Sequence, residues 1–478
     1  MRIYNSLTRK IETVEPIKKG KFGVYTCGPT VYDYLSIGNW RTYVLGDLIV
    51  RVLGWLDYEV DYIMNITDVG HLTGDNVGDA DTGEDRMEKG AKREGKTAWD
   101  IAKFYTDDFL KSFDKLNLVK PKKFTKATEY IKEQIELVEK IEKKGLSYKA
   151  GDGIYFNVQA YEKTGNKYGE LSTLDKIKEG ARVKTKIKKK DPRDFALWKF
   201  SPKDEKRQME WQSPWGRGFP GWHVECSAMS MNHLGEQFDI HVGGEDLKSI
   251  HHPNEIAQSQ AATGKKPFVR YWIHGAFLQV DGGRMGKSLG NAYRVQDIEK
   301  KGFTVMDLRY FYLTGHYRKP LNFTWKALGS AKETNNKLRS IAAEWQGVKT
   351  RTKLSEEKLQ QVQEFSSKFK AAVENDLAMP EAIAVMWQMV KSNIPEQDKW
   401  ELISDWDQVL GLGLSQIKKE KLVIPTEVKE LVDKREKLRQ EKKWPEADKV
   451  RQGIEAKGFV VLDTAQGSKV KEKSRGND

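Results

Sequence analysis

Cysteine is nearly absent: the 478 residues contain two, Cys27 and Cys226. So few thiols exclude a disulfide scaffold and point to a reducing compartment, the cytoplasm. Long apolar runs are missing as well. No window approaches the roughly 18 to 20 consecutive apolar residues of a membrane span. The opening MRIYNSLTRK has no apolar stretch that could serve as a secretory signal. A soluble chain with no membrane partner is expected. Internal repeats are lacking, and so is any CxxC knuckle of the zinc-ribbon kind.

Positive charge is in excess. Lys and Arg number 82 against 69 Asp and Glu, for a net charge of +13. An excess spread over many segments is read as a solvated basic surface or as the footprint of a polyanion such as nucleic acid. With 38% hydrophobic residues in a chain of this length, more than one core, and so several domains, is the expectation.

The first hundred residues read as α/β. FGVYTC (22–27) and YEVDYIMNI (58–66) are β-rich runs, and TYVLGDLIVRVLGWL between them has helical spacing. Strand, loop, helix, strand is the order of a nucleotide-binding parallel sheet, and the loop at the strand's end carries Gly28, Pro29 and Gly38. From about 118 to 210 the character changes to Lys-rich helical sequence, the β-like GIYFNV and the basic ARVKTKIKKKDPR, which reads as an insertion. FDIHVGG and VRYWIHGAFLQV return to sheet, helix-rich sequence runs to about 410, and a charged helical pair split at Trp444-Pro445 follows. The final GSKVKEKSRGND is expected to be disordered.

Two kinds of chemistry stand out. In IHHPNEIAQSQ, Pro253 suits a first helical turn, so His251 and Glu255, four apart, share one face. With Cys27 and Cys226 they are four ligands of types zinc accepts. Spacing alone leaves this open against two buried cysteines beside a solvated His/Glu face, and His252 has no separate claim. The loop GPTVYDYLSIGNWR before a helix offers backbone N–H groups to an anion. DGGRMGKSLGN (281–291) places Arg284 and Lys287 on a glycine-rich, and therefore mobile, segment.

CGPTVYDYLSIGNWRTYV resembles the first signature of the cysteinyl-tRNA synthetases, a class I family, with the "HIGH" motif at Ser36 to Asn39. RMGKSLGN is similar to the "KMSKS" loop. WQSPWGRGFPGWHVECSAM and FDIHVGGEDLKSIHHPNEIAQSQ resemble the middle signatures, and DLRYFYLTGHYRKPLNF and WPEADKVRQGIEAKGFVVLDTAQG the helical and C-terminal parts. The fold this implies is α/β: a Rossmann-like parallel-sheet catalytic domain (1–117 and 211–310) interrupted by a connective subdomain (118–210). An α-helical bundle (311–410) and a small C-terminal anticodon-binding domain with a basic tail (411–478) follow.

The resemblance implies an ATP-dependent ligase that joins L-cysteine to its tRNA through a cysteinyl-adenylate. It implies one zinc per chain on Cys27, Cys226, His251 and Glu255, binding the substrate thiolate and rejecting serine. Gly28, Thr67, Trp222 and Asp246 match positions around the amino acid. Thr30, Ser36, Gly38, Asn39, Lys287 and Ser288 match positions around ATP, which enters with Mg. Ser36, Gly38, Asn39, Arg284 and Lys287 are the catalytic candidates. A monomer is expected.

The chain departs from the pattern where Ser36 and Asn39 replace the two histidines of "HIGH", and where Arg284 and Gly286 stand in the loop. Hydroxyl and amide still donate to phosphate but carry no charge, a loss of about 1 kcal/mol per site, or roughly five-fold in rate. Two other readings fit fewer residues. One is a cysteine:amino-sugar ligase of the mycothiol type, which lacks the tRNA-reading C-terminus. The other is a zinc- and tRNA-binding homologue without catalysis. Trp444 is a candidate to stack on an anticodon base, or else to cap the helical hairpin's core.

Overall fold

The computed structural model describes residues 1–70, 72–73, 84–171, 189–202, 207–286, 289–348, 353–417, 425–464 and 467–472. They form two compact units, Met1–Gln416 and Ile417–Asp478. Lys287 and Ser288, and most of ARVKTKIKKKDPR, fall outside the described residues.

The first unit is built on five parallel strands: β1 (Lys21–Thr26), β2 (Glu59–Ile66), β3 (Lys123–Lys126), β4 (Phe238–Gly244) and β5 (Val269–Gly275). Their order is β5-β4-β1-β2-β3. The chain winds outward one way from β1 and then the other way from β4, so the crevice beyond the carboxyl ends of β1 and β4 is the switch point where such sheets hold ligands. Every residue of β4 is buried, as expected for a central strand covered on both faces. Helix α1 (Ile37–Trp55) follows β1, and its buried residues run nearly unbroken from Trp40 to Leu53. Helix α2 (Ala98–Lys115) follows β2, while α3 (Trp222–Leu234) and α4 (His251–Thr263) flank β4 in sequence.

The sequence reading placed the insertion at 118–210, and the sheet shifts both limits. Lys123–Lys126 pairs with Ile63–Ile66 as the edge strand of the parallel sheet, so the insertion begins beyond it. Its own four-stranded sheet, in the order 218–220, 196–200, 153–156, 147–150, reaches residue 220. Leu137, Ile141, Phe156, Tyr161 and Trp198 pack its core. Apolar pattern alone does not tell an edge strand from an insert's first strand, because pairing partners are fixed only in three dimensions. Helices Trp325–Trp345, Glu356–Glu374, Met379–Lys391 and Glu396–Leu410 complete this unit, as the helix-rich sequence to 410 suggested.

In the second unit, helices Thr426–Gln440 and Trp444–Ala456 meet strands Phe459–Thr464 and Gly467–Glu472. Val428, Ile454 and Val461 are its core. The tail expected to be disordered is therefore ordered up to residue 472: Gly467–Glu472 pairs antiparallel with Phe459–Thr464, the ladder supplying what its charged sequence cannot. Arg435, 1% exposed, forms a two-pronged bond to Asp463 at 2.7 and 2.9 Å. Trp444 is 51% exposed with Arg439 over its ring, so it does not cap the hairpin core.

Candidate active site and metal centre

Strand β1 delivers Cys27 to the switch point, where its N–H donates to Val242 of β4 at 3.0 Å. Gly28 must follow, because a Cβ there would overlap the Asn65 carbonyl of β2. Helix α3 brings Cys226 from one side and the first turn of α4 brings His251 and Glu255 from another. All four are buried, and their ligand atoms lie within 4.8 Å of one another. The fold thus brings together the four residues that the family resemblance named and that spacing alone left open.

Distances test whether a metal fits. Two thiolates bound tetrahedrally at ~2.3 Å stand about 3.8 Å apart, and the Cys27 and Cys226 sulfurs are 3.8 Å apart. Glu255 Oε1 is 3.8 Å from Cys27 Sγ and 3.0 Å from His251 Nε2. The outward atoms are already engaged: His241 Nε2 meets Glu255 Oε2 at 3.0 Å, and His223 Nδ1 meets His251 Nδ1 at 2.9 Å. Such outer partners fix the tautomer and orientation of ligands.

Electrostatics agree. The contact with Cys27 holds the Cys226 thiol down to about 7 although burial opposes this, while burial and the same contact push Cys27 up. Burial disfavours charge on both Glu255 and His251. Nearby His241 and His251 nevertheless hold Glu255 down to about 2, and Glu255 holds His251 up to about 10. A protonated His251 thus offsets the Glu255 carboxylate, which is the charge a metal cation would supply to the same group.

His252, for which the spacing makes no separate claim, faces inward. Its Nε2 is 3.5 Å from Cys27 Sγ and its Nδ1 is 2.8 Å from His274 Nε2. With Cys27, His241 and Glu255 it forms a second, overlapping ligand cluster. Two residues at the start of one helix can both face a pocket that wraps around the helix end, which face-counting along a helix misses. The two-thiolate set fits the softer metals better, and leaves His241 and His252 as its outer support.

The amino-acid candidates surround this centre. The Trp222 ring lies 4.3 Å from that of His251, tilted by 42°. Thr67 Oγ1 donates to Glu225 at 3.2 Å and accepts from Asn65 Nδ2 at 3.1 Å, and Asn65 Oδ1 takes the Gly28 N–H at 2.7 Å. This chain of bonds fixes the Thr67 hydroxyl, 1% exposed, between Asn65 and Glu225. Asp246, exposed, follows the end of β4 and lies against Gly244.

The nucleotide candidates converge on the start of α1. Ser36 caps the helix, and Asn39 Oδ1 accepts from Ser36 N and Oγ at 3.0 and 2.8 Å. With its oxygen held by the cap, Asn39 turns its NH₂ group away and presents donors. Thr30 pairs with Thr67 across the crevice mouth. Asp281 and Gly282, both at positive φ, make a two-residue hairpin that carries Arg284, exposed, on its return strand. Met285 then passes over the turn, its Sδ 3.3 Å from where a Gly38 Cβ would stand. The two loops read separately in the sequence are in contact.

A sequence profile for the catalytic domain of class I tRNA synthetases (C) matches residues 13–333. The cysteine–tRNA ligase 1 of Burkholderia lata is 43% identical over 98% of this chain and 96% of its own. The cysteine–tRNA ligase of Treponema denticola is 40% identical, over 97% of this chain and 98% of its own. The chain belongs to the cysteine–tRNA ligase family. Among solved structures, Mycobacterium tuberculosis methionyl-tRNA synthetase in complex with methionyl-adenylate superposes with a TM-score of 0.58. At 14% identity, over 83% of this chain and 91% of that one, the likeness is one of fold.

Sequence reasoning also missed a residue beneath the nucleotide turn of this family member. Arg41, 6% exposed, donates to the carbonyls of Ala276, Phe277, His316 and Lys319 at 2.7 to 3.1 Å. Burial holds its guanidinium down to about 10. It ties α1 to the strand leading into the RMGKS hairpin. The only signal available was a cation in the first turns of a mostly apolar helix, one of two in α1 with Arg51.

Proposed function

We propose that the chain catalyses ATP-dependent ligation of L-cysteine to its cognate tRNA through a cysteinyl-adenylate. The carrying observation is the placement of two buried thiols, an imidazole and a carboxylate at the switch point, beside a capped helix start overlain by Met285. Cys27, Cys226, His251 and Glu255 would hold zinc, which when bound supplies a thiolate-seeking Lewis acid that selects cysteine over serine. Gly28, Thr67, Trp222 and Asp246 orient the amino acid, Asp246 offering a carboxylate to its ammonium.

The substrate carboxylate attacks the α-phosphorus of ATP. An O–P bond forms, the bond to the β-phosphate bridging oxygen breaks, and pyrophosphate leaves with Mg. Ser36, Asn39 and the backbone about Gly38 donate to the phosphates from one side, with Thr30 at the crevice mouth. Arg284, Lys287 and Ser288 are read as further donors to the phosphates. A hydroxyl of the tRNA's terminal adenosine then attacks the adenylate's carbonyl carbon, and AMP departs. Residues 1–117 and 211–310 are read as the two halves of the catalytic domain, with the limits of the insertion shifted as the sheet requires. The helices to residue 410 are read as a bundle, and the second unit as the reader of the anticodon. All proposed site residues lie in one chain, so a monomer suffices, working in the cytoplasm where its tRNA resides.

The test is aminoacylation of tRNA with cysteine, serine and alanine compared. Charging with cysteine alone supports the reading, and charging with none of them refutes it.

A further inference from the structure

On the ligase reading above, we propose that Phe104 and Tyr34 form a stacking track for the single-stranded 3′ end of the tRNA, leading it to the nucleotide turn. Phe104 lies on the outer face of α2 with 43% of its surface exposed. The Tyr34 ring is 6.1 Å from it at 77°, and Tyr34 is braced edge-on by buried Tyr105 at 5.1 Å. A cation stands at each end of this pair. Lys96 Nζ is 5.0 Å from the Phe104 ring centre, and the Arg294 guanidinium is 4.6 Å from that of Tyr34.

Single exposed aromatics are ordinary. This one is set apart by the sequence of groups, cation, ring, ring, cation, and by where it ends. The backbone of Arg294 bridges to Ser36, so the track arrives where the adenylate forms. Aromatic faces take any base, and flanking cations take the phosphates between bases, which is the general design of single-strand grooves. Within a tRNA, the unpaired end is the part that presents unstacked bases while reaching a buried carbonyl. Asp33, which accepts the Tyr34 N–H at 2.7 Å, and Glu94, 3.2 Å from Lys96, are carboxylates on the track. An exposed pair of that kind is weakly held and yields its lysine to a phosphate.

The experiment compares wild type, Phe104→Ala and Phe104→Trp in two assays. Cysteine-dependent ATP–pyrophosphate exchange without tRNA should be unchanged in both variants. Binding of intact tRNA should weaken about ten-fold in Phe104→Ala, a change of about 1.4 kcal/mol, and be restored by tryptophan. Binding of tRNA shortened by its last three nucleotides should be the same for all three proteins. Equal losses for intact and shortened tRNA, or no loss for either, would overturn the proposal. Failure of exchange in wild type would instead count against the ligase reading, while the two binding measurements would still decide the track.

Discussion

Replacing Arg41 by methionine removes a buried cation whose partners, among the described residues, are all backbone carbonyls. Four N–H···O bonds of 2.8, 2.8, 3.1 and 2.7 Å are lost. Each charged bond is worth about 1.5 to 3 kcal/mol, but adding four overstates the change, because exposed Phe277 and Lys319 can turn their carbonyls to water. The cost of stripping the charge from water is also relieved. What remains is chiefly two under-satisfied carbonyls and the lost tether, about 3 kcal/mol of destabilisation. Lysine keeps the charge but has three donors on a single nitrogen and cannot span the four acceptors, so Arg41→Lys should lose about 1 to 2 kcal/mol. Urea unfolding of the three proteins gives these numbers. Because the tether holds the strand entering the RMGKS hairpin, the KM for ATP in the exchange reaction should rise in the same order. A methionine variant within 1 kcal/mol of wild type, with unchanged KM, would refute this account of Arg41.

Three further outcomes are expected. Cys226→Ala should reduce bound zinc, read by atomic absorption, at least ten-fold and abolish the preference for cysteine over serine; a variant that keeps both would remove Cys226 from the site. Asn39→His should leave the exchange rate the same or raise it up to about five-fold, and a collapse would mean that the helix cap needs the amide oxygen that accepts from Ser36. Arg435 holds the Asp463 carboxylate down to about 2, against burial, from the usual 3.8. A lowered acid pKa stabilises the fold above its unfolded value, and that stability is lost as pH falls from about 4 to about 2. With Asp463 40% exposed, solvent screening limits this to roughly 1 kcal/mol or less, so the melting-temperature difference between wild type and Asp463→Asn should shrink over that interval.

Much of the fold was legible because its strands and helices carry clean patterns. FDIHVGG and VRYWIHGAFLQV are strands, and HHPNEIAQSQAAT is a helix with Pro253 in its first turn. The four candidate ligands were of types zinc accepts and were named together by the family resemblance, but only the fold could bring Cys27 to Cys226. What stayed hidden depends on packing rather than on pattern. His252 turns into the cluster because the helix end is enclosed, Gly467–Glu472 is ordered because a partner strand lies beside it, and Lys123–Lys126 joins the main sheet because β2 offers it an edge. Arg41 shows the same limit: a buried cation whose partners among the described residues are all carbonyls has no acid partner to betray it.

A thiol-selecting metal and adenylate formation are tested together by ATP–pyrophosphate exchange on zinc-loaded and zinc-stripped protein, with cysteine and with serine. The account predicts exchange with cysteine on the loaded protein only, and none with serine in either form. Absence of exchange from the loaded protein, or equal exchange with serine, would contradict it.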